Sequence, residues 1–193
     1  KKYECKIIED SCHALGGKFK NYKFGSCQFS DISTFSFHPV KPITTGEGGM
    51  ITTNNRKIYE RLLLYRNHGM HKNIKSFKNK HLAFTNKNHV NTWYYEMDDF
   101  SYNFRITDIQ SSLGNNQLKK IDTFADKRRK IAKIYDNEFS KNEYIFTPKG
   151  NSDVLHAYHL YTILIDFKLL KISRYEFMRK LIKYNIGSQV LYI

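Results

Sequence analysis

The sequence predicts an α/β protein whose later part turns to α+β, and three observations carry that reading. Residues 5–8 form a short apolar run that ends in Glu9-Asp10 and a small-residue segment. That order suits the carboxyl edge of a parallel sheet, where ligands bind. Ile32-Ser33-Thr34-Phe35-Ser36-Phe37 alternates with a period of two and is rich in β-formers. Two capping boxes, Thr107 with Gln110 and Ser173 with Glu176, open helices on either side of strand-like text.

The elements follow in order. Residues 21–26 read as a turn. His38-Pro39-Val40-Lys41-Pro42 cannot be helical throughout, because each proline pushes its predecessor out of the α region. Gly46-Glu47-Gly48-Gly49 is a tight turn before a third strand at residues 50–53. Asn54 or Asn55 caps a helix with Ile58, Leu62 and Tyr65 on its apolar side, ending near Gly69. Residues 71–99, rich in Asn, Lys and His, show no period, and a loop of that length is functional or disordered. Thr107 opens a helix to about Asn116, and a longer one runs over residues 118–139. A strand is expected over 155–166, a helix from Ser173 to about Tyr184, and a final strand after Gly187. Residues 1–117 are then one portion of an α/β domain, and 118–193 a connecting helix with an incomplete small α+β domain. The chain has no initiator Met and both ends run in strand-like text, so a fragment of a longer protein is expected.

Composition narrows the function classes. With 40% apolar and 15% aromatic residues among 193, the chain is no disordered segment. No apolar run approaches the roughly 18–20 residues of a membrane span, so no membrane partner is expected. Cys5, Cys12 and Cys27 lack metal-ligand spacing, so no metal is expected, and a reduced, cytoplasmic setting is the default. The net charge of +14 invites a nucleic-acid reading. Its distribution argues against one: residues 1–100 and 101–193 each hold 16 basic and 9 acidic groups. Lys outnumbers Arg 24 to 8, whereas phosphate forks favour Arg. The one dense run, Lys127-Arg128-Arg129-Lys130, sits in a helical pattern continued by Ile131, Ile134 and Tyr135 and reads as a solvated face.

Lys41 is the sharpest candidate. One lysine among 24 is ordinarily a surface amine, yet this one lies on a proline-pinned loop four residues after a strand. That placement suits an imine-forming amine. Asp10, at a strand end, either caps a loop or supplies the carboxylate that keeps a pyridine nitrogen protonated. His13 and Ser36 are each, alone, ordinary structural residues.

Together these stretches resemble a known family. Ile8-Glu9-Asp10-Ser11-Cys12-His13-Ala14-Leu15-Gly16, then residues 35–49 around Lys41, then Tyr102-Asn103-Phe104-Arg105-Ile106-Thr107-Asp108-Ile109-Gln110 are similar to the DegT/DnrJ/EryC1/StrS sugar aminotransferases. The likeness extends through His156-Ala157-Tyr158-His159-Leu160-Tyr161, and the wording around Lys41 is nearest the pseudaminic acid branch. The resemblance implies a fold-type-I transferase dependent on pyridoxal 5'-phosphate. Its substrates would be L-glutamate and a nucleotide-linked keto sugar, the amino group arriving at C4 of a UDP-linked 4-keto-6-deoxy-HexNAc. A perosamine- or bacillosamine-type precursor is the alternative. An inactive fragment or a basic nucleic-acid-binding domain stands further off.

The resemblance also implies roles. Lys41 matches the catalytic lysine that holds the cofactor and later moves a proton. Asp10 matches the partner of the pyridine nitrogen, His13 a residue beside the ring, and Ser36 a phosphate contact. Asn103 matches an asparagine that reaches the cofactor of the other subunit, which implies a homodimer with shared sites. His38, Arg105 and Tyr192 are candidate substrate contacts. Leu191 stands before Tyr192 where relatives often carry histidine, which puts one such contact in question.

Overall fold

A three-stranded mixed sheet carries the candidate residues. The computed structural model describes residues 3–147 and 149–191. Strand β1 (Ile8–Asp10) pairs in parallel with β4 (Ile32–Ser36), with Asp10 opposite Thr34. Two short strands intervene, β2 (Lys18–Phe19) and β3 (Tyr22–Lys23), and β5 (Gly49–Thr52) then lies antiparallel to β4. Strand β1 lies later than the apolar run: it contains both acids, because pairing with β4 sets its register. The alternation in β4 sends Ser33 and Phe35 inward. Phe35 and Phe37 join Ile43 and Ile121 in one buried cluster, with Leu15 against it. Buried Ser33 donates to Ser11 Oγ at 2.9 Å, so its hydroxyl does not go unpaired.

Where a simple turn was expected at 21–26, β2 and β3 form a hairpin, and β2 also pairs with a later strand. Helix α1 (Arg56–Arg66) starts at Asn55, whose side chain accepts from the N–H groups of Lys57 and Ile58. The stretch 71–99 has more structure than its sequence suggests. Strand β6 (Met70–His71), a 3-10 turn (Ile74–Ser76), α2 (Lys80–Ala83) and β7 (Glu96–Met97) enclose a second small core of Phe77, Ala83 and Tyr94. One carboxylate ties it together: Glu96 accepts from Lys78 N, Asn79 N and Tyr94 Oη.

Helix α3 (Asp108–Leu118) opens with the expected Thr107–Gln110 capping box. Helix α4 (Ile121–Phe139) follows and buries Ile121, Ala125 and Ala132 along one stripe. The single strand expected over 155–166 is broken. After β8 (Ile145–Phe146), the chain makes β9 (Val154–Leu155) against β2, and β10 (Leu164–Ile165) against β8, with an irregular loop between. The break falls at Tyr158, whose backbone is left-handed at φ 49. Helix α5 (Phe167–Leu170) and α6 (Arg174–Lys183) complete the chain, α6 behind its Ser173–Glu176 capping box. The final strand is not formed at residues 188–191, and 192–193, with Tyr192, lie outside the described residues. Among the described residues no helix is long and apolar enough to cross a membrane.

The basic run on α4 is also not simply a solvated face. Lys127 and Lys130 are exposed, but Arg128 and Arg129 are half-buried and donate to backbone carbonyls of residues 156–159. A loop that leaves regular pairing must find other partners for its carbonyls, and two guanidinium groups provide them.

Candidate active site

Lys41 sits in a loop closed at its base by Phe37, the residue after β4. Phe37 N donates to Gly48 O at 2.8 Å, and Phe37 O accepts from Thr45 N at 3.0 Å and Thr44 Oγ1 at 3.0 Å. Within the loop, Lys41 N donates to His38 O at 2.9 Å. Pro42 and Ile43 are buried, which pins the half-buried Lys41 beside them. Gly48 has a φ of 150, and a Cβ there would meet Thr45 Oγ1 at 2.6 Å, so the turn requires glycine. Gln110 Nε2, from the cap of α3, donates to Glu47 O at 3.0 Å and braces the same turn.

Asp10 ends β1, and its Oδ1 accepts from Cys12 N at 3.0 Å. The Cys12 thiol and N–H hold its carboxyl below the usual carboxylate range, and the charges of His13 and Lys41 add to this against a small opposing effect of burial. Burial, with Asp10 beside it, pushes the Cys12 thiol up, so it stays protonated. His13 is held below the ordinary histidine value by burial first and by Lys41 second. Its ring stands edge-on to His159, with 4.4 Å between centroids. Burial, then His13, Lys41 and Arg128, bring His159 down to about 4. The charge of Lys41 thus reaches Asp10, Cys12, His13 and His159, which belong to two stretches of chain distant from it.

Ser36 closes β4, and its Oγ accepts from His38 N at 3.4 Å. His38 is exposed, with Nε2 4.0 Å from Glu47 Oε1. Asn103 and Arg105 belong to a different cluster, at the C-terminal end of α1. Asn103 bridges to Asn67, its Oδ1 accepts from Arg105 N at 3.1 Å, and Arg105 Nη1 donates to Asn67 Oδ1.

The strand-end loop of Lys41 and the strand-end carboxylate of Asp10 lie in a chain with known relatives. The family model described as DegT/DnrJ/EryC1/StrS aminotransferase family matches residues 1–193. The chain belongs to this family. It is 40% identical over 192 residues to the UDP-4-amino-4,6-dideoxy-N-acetyl-beta-L-altrosamine transaminase of Campylobacter jejuni, covering 100% of this chain and 46% of that protein. Among solved structures it is similar to Helicobacter pylori PseC, an aminotransferase involved in the biosynthesis of pseudoaminic acid. There the TM-score is 0.81 at 34% identity, over 100% of this chain and 46% of that one. A sugar aminotransferase from Streptococcus pneumoniae, solved in its PLP-form, aligns with a TM-score of 0.77 at 27% identity, over 97% of this chain and 44% of that one. The chain thus spans about half the length of the relatives it matches.

The residues of this family member fit pyridoxal phosphate. Asp10 is ionised at neutral pH, exposed, and bonded within the chain through Oδ1 to Cys12. That leaves carboxylate lone pairs for a protonated ring nitrogen. Lys41, His13 and Ser36 lie at or just past the C-terminal ends of the parallel strands β1 and β4, at the same end of the sheet. Cys12, Arg128 and His159 enter this site without having been singled out from sequence. For Cys12 and His159 a signal existed, since both lie in the stretches that carry the family likeness. Nothing in the sequence says that Arg128 turns inward.

Proposed function

We propose that this chain carries the catalytic lysine and the carboxylate side of the cofactor site of an aminotransferase. The enzyme would move the amino group of L-glutamate to the C4 keto group of a UDP-linked 4-keto-6-deoxy-HexNAc. One observation carries the reading: Lys41, Asp10 and His13 converge at one edge of the mixed sheet. The similarity to the altrosamine transaminase supports the sugar and the nucleotide.

Pyridoxal phosphate, when bound, supplies an electron sink that makes a proton α to an amine removable. Asp10 would hold the proton on the ring nitrogen, His13 would pack beside the ring and Ser36 would donate to a phosphate oxygen. Lys41 would anchor the cofactor and, once released, would carry at Nζ the proton leaving the substrate carbon and hand it on within the same half-reaction, running the transfer in reverse in the second. Asn103 serves the phosphate of a second subunit's site, which makes the working unit a homodimer. His38, Arg105 and Tyr192 contact the sugar nucleotide. Residues 1–117 belong to the large cofactor-binding domain and 118–193 to the connecting helix and small domain.

The test is chemical. The chain is incubated with pyridoxal phosphate, reduced with borohydride and digested. The expected result is cofactor mass on the peptide containing Lys41, absent from Lys41→Ala. The same reducible adduct in Lys41→Ala overturns the assignment. Product analysis with UDP- and GDP-linked 4-keto sugars then tests the substrate. Amination of GDP sugars alone redirects the reading to a perosamine-type precursor.

A further inference from the structure

The loop 156–159, between β9 and β10, is fastened along its length although it forms no regular structure. Arg129 Nη1 donates to His156 O at 3.2 Å. Arg128 Nη1 donates to Tyr158 O at 3.1 Å and to His159 O at 3.0 Å. His156 Nδ1 accepts from Tyr158 N at 2.8 Å. Between them Tyr158 is held at φ 49, a conformation that costs a tyrosine energy and persists only where its surroundings over-determine it.

What this fastening delivers is one side chain. His159 is 8% exposed, and its Nδ1 is buried with no partner among the described residues. An unpaired buried nitrogen costs stability and asks for an explanation. The same buried ring stands edge-on to His13, with 4.4 Å between centroids. The charges acting on His13 are those of Lys41 and Asp10, and those acting on His159 come from His13, Lys41 and Arg128. Under burial and these charges His159 stays neutral at neutral pH and adds no cation beside Lys41.

We propose that His159 is a positioning residue: Arg128 and the 156–159 loop hold its ring as the back wall against which His13 stands at the cofactor site. The inference rests on reading Lys41, Asp10 and His13 as that site. It makes α4 part of the machinery, through Arg128, although α4 itself contributes no group to the cofactor.

The experiment reads His13 directly. In the cofactor-free chain the His13 imidazole is titrated by NMR, its resonance assigned with His13→Gln. The parent midpoint is expected below the ordinary histidine value. His13 is exposed on its other side, so in His159→Ala the ring loses its one covered edge and the midpoint rises toward that value. Pyridoxal phosphate affinity, read from visible absorbance, falls about tenfold in His159→Ala and stays within about twofold in His159→Phe, which keeps a wall of similar shape. Arg128→Lys moves the His13 midpoint in the same direction by less, since an ammonium replaces the planar guanidinium whose Nη1 donates to both carbonyls. A His13 midpoint unchanged in a His159→Ala chain that is folded by circular dichroism overturns the proposal. A His159→Phe chain that folds but lets the His13 midpoint rise to the ordinary histidine value overturns it too. That second comparison, with Arg128→Lys, decides the matter if the alanine variant does not fold. The His13 readings need no cofactor, so a parent chain that fails to label at Lys41 counts against the proposed function and leaves the His13–His159 contact to be judged on its own.

Discussion

At the scale of single residues, the most displaced titrations combine near neighbours in the chain with partners that the fold brings in. Glu96 is an example outside the candidate site. Burial pushes its carboxyl up, but the Tyr94 hydroxyl and the N–H groups of Asn79 and Lys78 outweigh this and bring it down to about 2. A carboxylate whose folded value lies below its unfolded one stabilises the fold above the unfolded value. That contribution is lost as pH falls toward the folded value. The 71–99 segment is therefore expected to loosen in acid between the ordinary glutamate range near 4.5 and about 2. Near-ultraviolet circular dichroism would follow it, because Trp93, the only tryptophan, stands beside Tyr94 with 5.8 Å between ring centroids. Glu96→Gln should lower the melting temperature by a few degrees at neutral pH and flatten this acid transition. An unchanged acid profile in that variant would assign the loosening to Asp99 instead, whose carboxyl the Tyr65 hydroxyl holds below its ordinary value.

At the scale of elements, caps decide where helices begin. Thr107 Oγ1 accepts from Gln110 N at 3.2 Å, and Gln110 Oε1 accepts from Thr107 N at 3.0 Å. Gln110 also reaches Glu47 O through Nε2, so the same residue caps α3 and braces the turn after Lys41. Thr107→Ala is expected to cost about 1 kcal/mol in urea unfolding, the usual worth of such a cap. Gln110→Ala should cost more, since it loses the reciprocal half of the capping box, Oε1 with Thr107 N, together with the brace to Glu47 O. Equal costs for the two would mean that the bond to Glu47 contributes nothing measurable. Strands are decided differently. The pair β9 and β10 consists of two-residue pieces because each finds its partner in a separate sheet, β2 for one and β8 for the other.

At the scale of the whole molecule, the surface is large. The chain exposes 15075 Å² at 22.9 kDa, against roughly 9,600 Å² for a compact monomer of that mass. Part of the excess is apolar. Phe100, Tyr102 and Phe104 are 76%, 64% and 64% exposed, and their rings contact one another in series. They flank Asn103, the residue assigned to a second subunit's site. A contiguous aromatic surface of this kind favours association. Sedimentation velocity on the chain alone should show species heavier than the monomer as concentration rises, and Tyr102→Ser should shift them back. A strictly monomeric parent at all concentrations would contradict the shared-site dimer.

The even spread of the +14 charge removes it as a clue to function, and two of its densest contributors, Arg128 and Arg129, turn out to hold a loop.

Much of this protein was legible without coordinates. The two capping boxes, the Asn55 cap and the alternation of residues 32–36 are short-range patterns, and local physics is written in adjacent residues. The long motifs around Asp10, Lys41 and Asn103 carried the family for the same reason, being continuous in the chain. Other features were not legible. The hairpin at 18–23 closes against a strand more than a hundred residues later. The order in 71–99 depends on one carboxylate reaching back across the loop. Arg128 could be told from Lys127 only by which way α4 faces, and His159 could be placed on His13 only by where the broken strand sets it down. Contacts between residues so far apart leave no periodic trace in the sequence, so only the folded chain decides which histidine stands behind the candidate cofactor site and what holds it there.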